Sequence, residues 1–434
     1  MMQRIAWLSA FKWTLVVIAA CSALIQGVGA QPASKAYLTG GCDTPQTPFC
    51  DALMPPIPNW TGHVFQLSQN YPTTSGPDAQ PWLQFDPKTQ PDQYLTAVLS
   101  YIFEGNIQAD TESSFDPRLN AVRGWYNAPW QDVGINGREF IHGLTRERVS
   151  RPHELAPEQV HEWNNYAVGF YNAPGGMIIG RVWQDHGDPD PTAALFPNGT
   201  VATKLIFTTA SEAEVPYLKG SPQWQAYVYA NPNDPAPKAT SPRAVLSLRL
   251  LQIDIAVKDD RLSDTTGWVF GTFVYGSGPG GQGGGSGWTN VSSVGVIWGN
   301  DPGYSGTGPL SQTWLNPAVH MPHVGYQGRL NGPIDNRASS CLSCHSTAEV
   351  PSGTMVPPTG VNPASWFQNI KSGTPFDSGR QSTDYSLQLS VGIANFTVNH
   401  GSSVATVTPE QRLKQLRSKE AHDELPPRAG GSIH

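Results

Sequence analysis

Two thiols and an imidazole stand together in the stretch Cys341-Leu342-Ser343-Cys344-His345. Two cysteines at that spacing followed directly by a histidine read as a c-type haem attachment site. Each thiol can add across one vinyl group of a porphyrin, and the histidine is then held close enough to ligate the iron. The sequence therefore predicts one haem c tethered through Cys341 and Cys344, with its iron on His345. Three plainer chemistries share part of the pattern. A zinc site needs two more ligands, and the other candidate thiols, Cys42 and Cys50, lie nearly the whole chain away. A redox dithiol is expected near a βαβ unit, whereas Gly, Pro, Asn and Ser-rich sequence precedes Cys341. The third is a Cys341–Cys344 disulfide in an exported structural protein.

Haem attachment of this kind in bacteria takes place after export, and the N-terminus carries an export signal. Residues 1–30 hold Arg4 and Lys12, an apolar run from Trp13 to Ala20, and Val28-Gly29-Ala30 as a small-residue cleavage site, the layout of a secretory signal peptide. Ile18-Ala19-Ala20-Cys21 also resembles a lipoprotein box that would lipidate Cys21. The reading is a periplasmic or otherwise exported bacterial protein with no transmembrane span in the mature chain. Four Asn-x-Ser/Thr tripeptides, at Asn59, Asn198, Asn290 and Asn395, would suit a glycosylated eukaryotic protein instead. That route does not normally attach haem. In an oxidising compartment Cys42 and Cys50 are best paired with each other, which would stabilise by roughly 2 to 3 kcal/mol through loop closure.

With 44 Gly, 39 Pro and only 14% charged residues in 434, the chain suits long ordered loops around a modest framework. Without residues 1–30 it carries 25 basic residues against 34 acidic ones, a balance of −9. That acidity argues against nucleic acid and anionic membranes as partners. It leaves a basic redox protein or a small-molecule ligand or substrate.

The elements that must position the motif are mainly β. From Asp92 to Glu104, Leu95, Val98, Leu99 and Ile102 recur at helical spacing, and Gly105-Asn106 ends the run. Pro157 to Tyr171 also reads as a helix, with Val160, Trp163, Ala167 and Phe170 on one face and Gly175-Gly176 as its stop. His161 beside that face reads as an ordinary surface or core histidine. Met177–Trp183, Val201–Phe207, Gln225–Ala230, Ala244–Ala256, Gly267–Tyr275 and Val291–Trp298 are β-branched or aromatic runs between turn residues, as in an antiparallel sheet. The glycine run from Gly276 to Gly287 reads as a connection between strands. Beyond the motif, the expectation is a short helix over Pro363–Ile370 and a short strand over Leu387–Phe396. A capping box at Thr408-Pro409-Glu410-Gln411 opens a charged tail helix.

Three segments in this order resemble the cytochrome P460 family and its relative cytochrome c′-beta. They are Phe196–Lys204 (FPNGTVATK), Ala256–Asp260 with Thr266–Phe273 (TGWVFGTF), and Cys341–His345. The resemblance implies a predominantly antiparallel β fold with one haem packed on the sheet. In the P460 proteins proper a lysine is joined to the haem and the enzyme oxidises hydroxylamine, while the c′-beta relatives lack that link and bind small gases. Lys204 is the nearest candidate for the lysine. This chain has a longer span before its haem motif, through Trp314, His320, Met321 and His323, and a long extra N-terminal region.

The resulting organisation is a signal peptide (1–30), an aromatic- and proline-rich region with one helix (31–155), a β haem-binding domain (156–400) and a charged helical or disordered tail (401–434). The sixth iron position is either open or filled by Met355, His320 or His323. An electron carrier wants it filled, and a haem oxidoreductase or gas sensor must keep it open.

Overall fold

β5 (Arg243–Lys258) is the long strand on which the molecule is assembled. It pairs antiparallel with β3 (Val201–Thr208), β4 (Gln223–Tyr229) and β6 (Trp268–Tyr275). β2 (Asn165–Tyr171) and β1 (Thr145–Arg146) extend the sheet beyond β3, and β7 (Val291–Ile297) and β8 (Thr313–Leu315) extend it beyond β6. The eight strands form one antiparallel sheet in the order β1-β2-β3-β5-β6-β7-β8, with β4 on β5, so the fold is mainly β with a few packing helices. The computed structural model describes residues 49, 62, 65–76, 78–107, 115–131, 141–238, 240–276, 286–358 and 360–400. The signal peptide, Cys21, the Cys42–Cys50 pair, Asn59, the glycine run over 277–285 and the tail from 401 lie outside the described residues.

Alternation along the strands gives the sheet two unlike faces, because successive side chains point to opposite sides. One face shows Val201, Leu205, Ile253, Ile255 and Val257, all buried. Helix α1 (Pro91–Phe103) packs there through Leu95 and Val98, as its periodicity predicts. It comes so close that a Cβ on Gly271 of β6 would stand 2.3 Å from Leu95 Cδ2. Phe65, Phe115, Phe170 and Trp224 join the same core. The other face carries two cross-strand rows: Gly169, Lys204, Asp254 and Thr272, and beside it Tyr171, Ala202, Ala256 and Phe270.

Three expectations are corrected by the structure. The predicted helix over Pro157–Tyr171 is a turn followed by β2. All seven residues of β2 are buried, as suits a strand covered on both faces, whereas Val160 on the supposed helical face is 60% exposed. The run Met177–Trp183 is not a strand but most of helix α2 (Ala173–Val182), which Asn172 caps through Gly175 N. Gly176 and Gly180, which cost a helix stability, lie inside it because they let Tyr126 and Tyr71 pack against its backbone. The Leu387–Phe396 strand is instead helix α4 (Leu387–His400), with Leu389, Ile393 and Phe396 buried at helical spacing and Ser386 Oγ accepting from Leu389 N at 3.1 Å. In the Pro363–Ile370 segment the expected short helix is a single 3-10 turn, Pro363–Ser365. No helix among the described residues is long and apolar enough to cross a membrane.

Candidate functional site

Cys341–His345 forms a short helix, α3, rather than a loop. Positions i, i+3 and i+4 of a helix share a face, so Cys341, Cys344 and His345 point one way while Leu342, fully buried, anchors the other side. Five residues cannot hold a helix by themselves, and the sequence supplies a reciprocal cap. Ser340 Oγ accepts from Ser343 N at 3.0 Å, and Ser343 Oγ accepts from Ser340 N at 2.8 Å. Ser340 Oγ also donates to Asn300 Oδ1 at 2.9 Å. The Asn300 carbonyl in turn accepts from the buried Arg329 Nε at 2.8 Å. Arg329 is satisfied by carbonyls and stacks 4.4 Å from the Phe367 ring centre.

α3 looks into a cleft of about 330 Å³ between the polar face of the sheet, α4 and the segment around Pro351–Val356. Cys341, Cys344 and His345 all line it, as do Lys204, Asp254 and Met355. Both cysteines are thiols. His345 Nδ1 lies 2.8 Å from the Tyr385 carbonyl. A carbonyl can only accept, so Nδ1 carries the proton there and Nε2 is the nitrogen suited to a metal. The Phe270 ring centre packs 4.6 Å from that of the imidazole. Beside Phe270, the cross-strand pair Ala202 and Ala256 keeps the cleft floor low. Two thiols, an oriented imidazole and an aromatic and small-residue floor fit a covalently held haem with its iron on His345.

The neighbouring row is charged. Lys204 Nζ pairs with Glu147 Oε1 at 2.9 Å. Burial works against the ammonium, but Glu147, Asp254 and Asp335 together outweigh it and hold its pKa above the ordinary value. Asp254 accepts from Gln252 Nε2 at 2.8 and 2.9 Å and from Thr272 Oγ1 at 2.8 Å. The same Gln252 nitrogen lies 3.5 Å from Asp335 Oδ2, which also accepts from Gly332 N at 2.8 Å. Burial and the adjacent Asp335 push Asp254 up to about 7, and burial raises Asp335 as well. Burial, then Asp335 and Asp254, raise the Cys341 thiol well above its usual value. A reactive dithiol is favoured by the opposite shift.

Of the candidate sixth ligands, Met355 lines the cleft, whereas His320 is exposed and His323 is buried outside the lining. His323 Nε2 meets the Pro333 carbonyl at 3.0 Å, and burial lowers its pKa to about 4. His161 is exposed, with its ring on Glu214. Among the described residues no three His, Cys, Asp or Glu side chains converge to hold a metal ion. Asn395 is buried on α4 with its amide on the Trp130 carbonyl, where a glycan has no room. Sequence reasoning missed Glu147, Asp254, Asp335 and Tyr385. Only Asp254 left a signal, as a carboxylate between Ile253 and Ile255 in the longest apolar run. No known protein family, characterised protein or solved structure matches the chain.

Proposed function

We propose that the chain is an exported bacterial mono-haem c-type cytochrome that binds haem covalently and works in electron transfer or haem redox chemistry. The observation that carries this is the common face of Cys341, Cys344 and His345 on one capped helix in one cleft, with His345 Nδ1 on the Tyr385 carbonyl. Cys341 and Cys344 would hold the porphyrin, His345 would ligate the iron, and bound haem would supply a one-electron centre. The export signal and the acidic surface agree with a periplasmic protein meeting a basic redox partner or a small ligand. A second reading, a haem oxidoreductase resembling the cytochrome P460 enzymes and acting on a small nitrogen compound, is favoured by one observation: Lys204 lines the same cleft.

The test is expression of the full chain with a haem c maturation system, followed by haem staining of a denaturing gel. The wild-type chain keeps its stain, and the Cys341→Ala, Cys344→Ala double variant loses it. A double variant that stays stained, or a wild-type chain that never stains, overturns the proposal. Loss of the wild-type stain together with a mapped Cys341–Cys344 disulfide would select the structural reading.

A further inference from the structure

Asp384 (φ 48°) and Tyr385 (φ 67°) are consecutive residues in the left-handed region, and neither is glycine. Such backbone persists only where its surroundings over-determine it. Here the Asp384 carboxylate does so. It is fully buried. Its Oδ1 accepts from Ser372 Oγ at 2.7 Å, from Trp268 Nε1 at 3.1 Å and from Gly373 N at 3.1 Å. Its Oδ2 accepts from Phe196 N at 2.9 Å. Three separate segments thus converge on one carboxylate, and no ion pair to it forms among the described residues. A buried carboxylate is tolerable when donors of this number face it.

The next carbonyl, that of Tyr385, receives His345 Nδ1. The Tyr385 side chain locks the same turn. Its hydroxyl donates to the Ile370 carbonyl, and its ring lies 6.2 Å from Phe270 and 6.3 Å from Trp268. Carboxylate, turn and ring therefore fix the partner of the imidazole from three sides.

We propose that Asp384 is the positioning residue of the iron ligand: it aims the Tyr385 carbonyl at His345 Nδ1, and its buried charge favours the ferric over the ferrous iron. This rests on the haem reading above. A hydrogen bond at the second ring nitrogen fixes the orientation of a ligating histidine and raises its basicity. A negative charge in a poorly screened interior stabilises the more positive oxidation state. Both effects lower the reduction potential.

The test is spectroelectrochemistry of the haem-loaded full chain. Asp384→Asn keeps the shape and removes the charge. At a fixed ambient potential its ferrous-to-ferric ratio rises at least tenfold, which for one electron is about 59 mV. Ser372→Ala removes a donor and leaves a less compensated charge, so its potential moves the opposite way. A general loosening of the fold would move both variants in one direction. In the ferrous CO form, the His345 Nδ1 proton exchanges with solvent faster in Asp384→Asn than in wild type. If Asp384→Asn yields no folded protein, the sign of the Ser372→Ala shift decides. A chain that takes up haem but shows no shift in either variant, or the same sign in both, overturns the positioning role alone. A wild-type chain without covalent haem overturns the haem reading, and this inference with it.

Discussion

The same strands present Val201, Leu205, Ile253 and Ile255 to one side of the sheet and Ala202, Lys204, Asp254 and Ala256 to the other. On the first side these residues are apolar and buried, Thr203 between them is buried too, and aromatic rings close the space: Phe207 and Trp224 lie 4.7 Å apart, Phe65 and Trp224 4.8 Å, and Phe115 and Trp288 4.9 Å. On the second side the residues are half-buried, small or charged, and face a cleft. A strand period of two lets one segment serve both purposes. The dry face can hold the fold firmly enough that the wet face keeps the carboxyls of Asp254 and Asp335 where burial disfavours their charged forms. Stability and chemistry are thereby assigned to alternate residues.

Crossed substitutions sharpen that division, and they carry the largest expected effects. Trp224→Ala on the dry face removes a fully buried indole and is expected to cost about 3 to 5 kcal/mol, while the haem spectrum of the folded fraction stays that of wild type. His345→Ala on the wet face leaves the covalent tether and changes the spectrum, with little change in the denaturant midpoint. Denaturant titration monitored by fluorescence, with haem absorbance on the same samples, measures both. Equal losses of stability and of spectrum in each variant would break the comparison.

A smaller effect should come from the acid pair of the wet face. With Asp254 pushed up to about 7 by burial and Asp335, against about 3.9 in an unfolded chain, the folded state binds more protons between roughly pH 4 and pH 7. Stability therefore falls as pH rises through that window, the reverse of an ordinary salt-bridged carboxylate. For one proton the limiting slope is about 1.4 kcal/mol per pH unit, and solvent in the cleft reduces it. Asp254→Asn should flatten the decline without lowering stability at pH 4. Chemical denaturation at several pH values measures this, and a wild-type profile that rises from pH 4 to 7 would contradict the raised Asp254 pKa.

What was legible in the sequence follows from which interactions are local. The motif at Cys341–His345, α1, and strands β3 to β7 are carried by spacing and by β-branched runs within short windows, and the structure has those elements where the residues put them. β2, α2 and α4 were misassigned where local periodicity fitted two elements. Leu387, Leu389, Val391 and Ile393 alternate as a strand would, while Leu389, Ile393 and Phe396 also repeat as a helix would, and tertiary packing decided between them. Asp335 reaches the cleft, and Tyr385 the His345 ring, through contacts with remote segments, so nothing next to them in the chain advertised a role. The N-cap of the motif helix was present as Ser340 and Ser343, but its anchor, Asn300, lies 40 residues earlier.

The smallest expected effect concerns Met355, which faces the same cleft as His345 but stands on a very different support. The imidazole sits on a capped helix and is fixed by a backbone carbonyl at its second nitrogen. Met355 follows Thr354, which is exposed, and the segment around it has no helix or strand beyond β9 (Glu349–Val350). A thioether that fills the sixth iron position must be held there as firmly as the histidine is on the fifth, because a loose ligand yields to any small competitor. Ferrous protein is therefore expected to bind CO readily, and Met355→Ala to leave the oxidised and reduced spectra nearly unchanged. Optical spectra with and without CO decide it. A wild-type protein indifferent to CO that loses a sulfur-to-iron band on Met355→Ala would make Met355 a ligand, extend the rigid support of His345 to both sides of the iron, and favour an electron carrier over an oxidoreductase.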